Sequence, residues 1–135
     1  MEARVKWIEE ERMSAVATSG HAVVMDASNP KQAGSPLEYV LMALCGCTAT
    51  DVVGILKKKR EPFTSLEVSA VAERATEHPM VFTRISLLYR VDGPVSRKSV
   101  EDAVHLSKEK YCSVGAMLAK TAEITTVIAL SAELK

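Results

Sequence analysis

One stretch constrains this chain more than any other: the run from Ser35 to about Lys59, which carries a helix start, a long apolar middle and a helix stop in order. Ser35 as N-cap, Pro36 at the first helical position and Glu38 three residues after the cap form a capping box. The basic run Lys57-Lys58-Lys59-Arg60 suits the negative end of a helix dipole, and Pro62 forbids continuation. Such a helix is on the order of 35 Å long at the usual rise per residue. Because it is apolar on nearly all sides from Tyr39 to Leu44 and from Val52 to Leu56, it has to be surrounded by protein. A single domain of 135 residues has too little chain to wrap that rod, so a homodimer is expected.

The flanking segments read as strands. Ala3, Val5 and Trp7 alternate with Arg4 and Lys6, as in a half-buried strand, and further strands are expected over Met13 to Thr18 and His21 to Met25 with Ser19-Gly20 as the turn. Asp26 to Gly34 is a loop. After the helix, Leu66, Val68, Ala70 and Ala72 alternate with polar residues, and a second alternating set covers Val81, Thr83, Ile85, Leu87, Tyr89 and Val91. These two runs predict a hairpin through Thr76 to Pro79, ended by Asp92-Gly93-Pro94. Ser96 or Ser99 caps a second helix reaching about Tyr111, Ser113 to Lys120 forms a short third one, and Ile124 to Leu134 alternates as a closing strand. The order predicts an α+β fold with antiparallel sheets around the long helix, in one domain spanning residues 1–135.

Acidic and basic residues number 17 each and are interspersed, so no electrostatic footprint for nucleic acid or an anionic membrane exists. The longest uncharged run, Tyr39 to Thr50, is too short for a bilayer, which takes roughly 20 apolar residues. Charges in Met1 to Trp7 occupy the place of a signal peptide's apolar region, so a cytoplasmic location is expected. Three cysteines make no full disulfide framework, Cys45-Gly46-Cys47 has neither zinc-knuckle nor thioredoxin spacing, and His21, His78 and His105 are scattered. No metal and no cofactor are expected.

Chemistry concentrates on Cys47 and Cys112. In a reducing compartment two thiols on separate elements point to redox chemistry more than to a structural staple. Cys112 lies where one helix stops and another starts, so free amides and the dipole of the second helix would favour its thiolate. Cys47 is mid-helix among apolar neighbours such as Val40 and Leu44, a wall suited to an apolar substrate. Cys45 points about 200° away from Cys47 and reads as core.

Ser35-Pro36-Leu37-Glu38, then Cys47 eleven residues after Pro36, then Lys110-Tyr111-Cys112-Ser113-Val114-Gly115-Ala116-Met117-Leu118 and a closing strand together resemble the OsmC/Ohr family of thiol-dependent hydroperoxide reductases, over essentially the whole chain. The resemblance implies an intertwined homodimer with the long helices at its centre. It also implies that Cys47 attacks an organic hydroperoxide, that Cys112 resolves the sulfenic acid as a Cys47–Cys112 disulfide, and that a lipoyl-type dithiol regenerates the enzyme in oxidative stress defence. The alternative is a catalytically weak or inactive OsmC-like dimer acting as a small-molecule-binding or stress-related protein.

Departures from the pattern single out further residues. The family places a catalytic glutamate directly after the proline, where this chain has Leu37; Glu38, nine residues before Cys47, falls on the opposite side of the helix and reads as a cap. The activating arginine usual before the helix has no counterpart between Thr18 and Leu37, leaving Arg12 or Arg4 as substitutes. Asp51, one turn beyond Cys47, would oppose thiolate formation unless a cationic partner reverses that; its structural reading is a bond to a hydroxyl or backbone group of the dimer partner.

Overall fold

The computed structural model describes residues 1–134, and the backbone divides into two compact units, one from Met1 to Met42 and one from Ala43 onward. Helix α1 (Pro36–Lys58) begins in the first unit and continues in the second.

The first unit is built on strands β1 (Ala3–Glu9), β2 (Arg12–Ala17) and β3 (Ala22–Asp26), an antiparallel sheet in that order. Alternation in β1 does produce a strand, but not a half-buried one: every residue of β1 is exposed, with Trp7 at 64%. The pattern is right and its cover is missing, because no element of this unit lies over that apolar face. At the end of β3, Asp26 is fully buried and organises the loop that follows. It accepts hydrogen bonds from the Ser28 amide at 2.8 Å, the Gln32 amide at 3.0 Å and Arg12 Nε at 3.3 Å. The Ser28 hydroxyl first, then the Gln32 and Ser28 amides and Arg12, hold its carboxyl well below the usual carboxylate range. The capping box forms as read: Glu38 N–H donates to Ser35 Oγ at 3.3 Å and Ser35 N–H to Glu38 Oε1 at 3.1 Å.

The second unit holds the rest of α1, strands β4 (Ser65–Arg74), β5 (Phe82–Asp92) and β6 (Glu123–Leu130), and helices α2 (Arg97–Leu106) and α3 (Ser113–Leu118). The hairpin β4–β5 is antiparallel, whereas β6 pairs with β5 in parallel, so the expected all-antiparallel arrangement gives way to a mixed sheet. The reason lies in the connection. A chain that leaves β5, builds α2 and α3 and returns has length enough for a crossover, and crossovers deliver parallel strands. β6 also stops at Leu130 rather than Leu134, because Ser131–Glu133 turns into a short 3₁₀ segment clasped by an Arg97–Glu133 ion pair.

Alternation decides the core. Ile85, Leu87, Tyr89 and Val91 of β5 are buried, with Arg84, Ser86 and Arg90 on the other face. α2, whose N-cap Ser96 accepts from Ser99 N–H, buries Val100, Ala103 and Val104. α1 contributes a single stripe, Leu44, Thr48, Val52 and Leu56, at a spacing of four. The turn after β5 requires glycine at position 93: its φ is +107°, and an added Cβ would stand 2.6 Å from the Pro62 carbonyl.

Candidate functional site

The site grows out of that α1 stripe. Thr48 is buried and its hydroxyl lies 2.7 Å from the Tyr89 hydroxyl and 2.8 Å from Ser107 Oγ. Ser107 in turn donates to Asp51 Oδ2 at 2.8 Å. A hydroxyl has one proton to give, so the order of donation is fixed as Tyr89 to Thr48 to Ser107 to Asp51. The hydroxyl expected beside Asp51 is therefore present, but it belongs to the chain's own α2 end rather than to a partner.

Ser107 also opens a π turn, Ser107–Tyr111, in which its carbonyl accepts from Cys112 N–H at 2.8 Å. Wide turns of this kind recur at functional sites. This one ends α2 and leaves Cys112 in extended backbone as the N-cap of α3, its Sγ accepting from Gly115 N–H at 3.3 Å. An added Cβ at Gly115 would press on that sulfur at 3.2 Å, which explains a glycine there.

Cys47 sits half-buried on α1 and adjoins Cys112; all three cysteines are free thiols. Burial pushes the Cys112 thiol up to about 11. The Gly115 amide works against that rise, and the neighbouring Cys47 and Asp51 add to it. The expected lowering by the helix start is thus overturned: one amide at a six-residue helix is outweighed by desolvation. Cys112 should accordingly react with iodoacetamide at pH 8 about a hundredfold more slowly than an ordinary thiol, its rate still climbing at about pH 10. A plateau near the ordinary thiol value, measured by peptide mapping of the alkylated chain, would contradict this.

Cys112 forms part of the wall of a cavity of about 180 Å³. Leu44, Leu87, Ala116 and Ile124 make it apolar, and Thr48 and Tyr89 supply its buried hydroxyls. That volume exceeds the roughly 150 Å³ cavity that admits benzene in an engineered protein. Lys108 and Glu109 also line it and are exposed.

The other candidates are placed elsewhere. Glu38 is engaged by the cap and by Lys31 Nζ at 2.7 Å, and Lys31 above all lowers its carboxyl to about 2. Arg12 is paired with Glu9 and Asp26 within its own unit. Cys45 is half-buried, with its thiol raised by burial. Among the described residues no cluster of three His, Cys, Asp or Glu side chains is placed to hold a metal.

The model of the family described as OsmC-like protein matches residues 29–127. This chain belongs to the OsmC-like family. The OsmC-like relative YhfA of Escherichia coli K12 is 46% identical over 126 residues, covering 93% of this chain and 94% of that one. Among solved structures, a hypothetical protein from Aquifex aeolicus is 28% identical with a TM-score of 0.84, over 96% of both chains. An organic hydroperoxide resistance protein from Elizabethkingia anophelis shares the OsmC-like fold at 9% identity, with a TM-score of 0.75 over 96% of this chain and 94% of that one. At 23 residues α1 is long and apolar enough to cross a bilayer, unlike its uncharged portion alone. In an OsmC-like domain, with Asp51 bonded to Ser107, it is a helix of a soluble fold.

Three residues of the site escape a reading by motif: Thr48, Tyr89 and Ser107. Each left a trace, because each is a polar residue at an apolar periodic position. Thr48 stands between Leu44 and Val52, Tyr89 between Leu87 and Val91, and Ser107 follows Val100, Ala103 and Val104. A buried polar group needs a partner, and three on converging faces predict one another.

Proposed function

We propose that this protein is a cysteine-based reductase of organic hydroperoxides. What supports the reading is that Cys47 is near enough to Cys112 to raise its thiol, in a unit whose mostly apolar cavity is walled in part by Cys112. The Cys47 thiolate attacks the outer oxygen of ROOH and the O–O bond breaks, leaving Cys47 sulfenic acid and an alkoxide that takes up a proton to become the alcohol. Cys112 sulfur then attacks Cys47 sulfur. The S–O bond breaks, the hydroxide leaves with the Cys112 proton as water, and the Cys47–Cys112 disulfide remains. A small dithiol of the lipoyl type returns both cysteines to thiols. The high pKa of Cys112 favours Cys47 as the first attacker, since a thiol that keeps its proton is a poor nucleophile. Such a cycle belongs in a reducing, cytoplasmic setting.

The working form is a homodimer. Only 22% of the apolar window of α1 is buried within one chain, and β1 exposes Val5, Trp7 and Ile8. Uncovered apolar surface on this scale marks an association site. Light scattering should give a mass near twice 14.6 kDa, and a monomer at micromolar concentration would contradict the dimer.

A second reading is favoured by one observation. Glu38 and Arg12, the residues nearest to the usual activating pair, are both bound to other partners. On that reading the protein binds an apolar small molecule with little turnover. A coupled assay with dihydrolipoamide and cumene hydroperoxide separates the two. Sustained peroxide consumption supports the reductase, and a rate equal to the protein-free control supports the binding protein.

A further inference from the structure

Ser107 is the point at which the two cysteine-bearing segments are tied together, and both of its polar groups take part. Its carbonyl holds the Cys112 amide at 2.8 Å through the π turn. Its hydroxyl accepts from Thr48, the residue after Cys47, and donates to Asp51, one helical turn further on, each at 2.8 Å. The residue is completely buried, so its bond to Thr48, buried at both ends, does not compete with water, while its bond to Asp51 reaches a half-buried carboxylate. One side chain thus fixes the rotation and height of the Cys47 turn of α1, and the same residue's backbone fixes where Cys112 begins.

We propose that Ser107 is the positioning residue of the thiol pair, setting the register in which Cys112 sulfur meets Cys47 sulfur. Resting on the redox reading of those cysteines, the inference adds a cause for their alignment. Disulfide formation tolerates little error, because Cα separation and the Cβ directions must both fit. Thr48 and Asp51 act through Ser107. Tyr89 lies at the far end of the chain of donors, where its removal leaves both Ser107 bonds in place.

The test measures closure of the bridge without any peroxide. Full-length protein is equilibrated in reduced and oxidised glutathione, in which one oxidised glutathione and the dithiol exchange for two reduced glutathiones and the Cys47–Cys112 disulfide. Peptide mapping then gives the effective concentration of one thiol toward the other. Ser107→Ala, which keeps the carbonyl and loses the hydroxyl, should lower that value by about tenfold to a hundredfold. Tyr89→Phe also deletes a buried hydrogen bond, yet it should stay within about twofold of the wild type. Thr48→Val should fall in the direction of Ser107→Ala, and Thr48→Ser should recover. Should Ser107→Ala not fold, the Thr48→Val and Thr48→Ser pair reads the same tether.

An unchanged value in Ser107→Ala overturns the inference, as does an equal loss in Tyr89→Phe, which would reduce the effect to general stability. With Ser107→Ala unfolded, a wild-type value in Thr48→Val overturns it as well. If the wild type itself forms no Cys47–Cys112 disulfide at any glutathione ratio, the redox reading fails first and takes the inference with it.

Discussion

Cys47→Ser is expected to abolish hydroperoxide consumption, lowering the rate by a factor on the order of a thousand or more, because no other thiol shares its position. Cys45 cannot replace it: two residues along α1 turn its side chain about 200° away, and burial raises its thiol. Cys112→Ser should behave differently in the same assay. One equivalent of peroxide is consumed, the Cys47 sulfenic acid accumulates and is trapped by dimedone, and turnover with the dithiol slows. A Cys47→Ser protein that keeps most of the wild-type rate would remove Cys47 from the reaction. Equal and complete loss in both variants during the first turnover would remove the division of labour between them.

The second large effect is on stability. Leu44 is 1% exposed and belongs to the α1 stripe, and it lies against the segment that carries Cys112: a Cβ placed on Gly115 would come within 3.6 Å of its Cδ1. Leu44→Ala should therefore cost about 2–5 kcal/mol, the sum of lost transfer energy and a cavity that close packing cannot collapse. For a domain of this size that is a drop of roughly 6–20 °C in Tm. The same substitution enlarges the cavity beside Cys112, so bulkier hydroperoxides should gain relative to small ones. Calorimetry and a comparison of cumene with tert-butyl hydroperoxide check both halves. A Tm within about 2 °C of wild type would show that the stripe is not part of a packed core.

How far the sequence revealed the molecule depended on whether a feature was local. The capping box at Ser35 and Glu38, the hairpin and the three helices are each specified by neighbours in the chain, and each stands close to where its signals lie. Membership of the OsmC-like family was legible for the same reason, since Pro36, Cys47 and the segment around Cys112 carry it as spaced residues. What escaped notice depends on partners far apart in sequence. The parallel pairing of β6 follows from the crossover, and the exposure of β1 from the absence of cover within its own unit. The upward shift at Cys112 sets burial against one amide bond, a balance that no spacing displays. Ser107 is the clearest case. It joins residues 56 and 59 positions away, and only the fold shows that Thr48, Asp51 and Cys112 meet there.

On the proposed cycle Cys47 and Cys112 form a working redox pair. The most direct test of that pairing is to treat fully reduced protein with one equivalent of cumene hydroperoxide, block the remaining thiols, and map the peptides by mass spectrometry. The expected product is a Cys47–Cys112 disulfide within the same protomer, with Cys45 blocked as a free thiol. Recovery of three free thiols, or oxidation confined to Cys45, would contradict it.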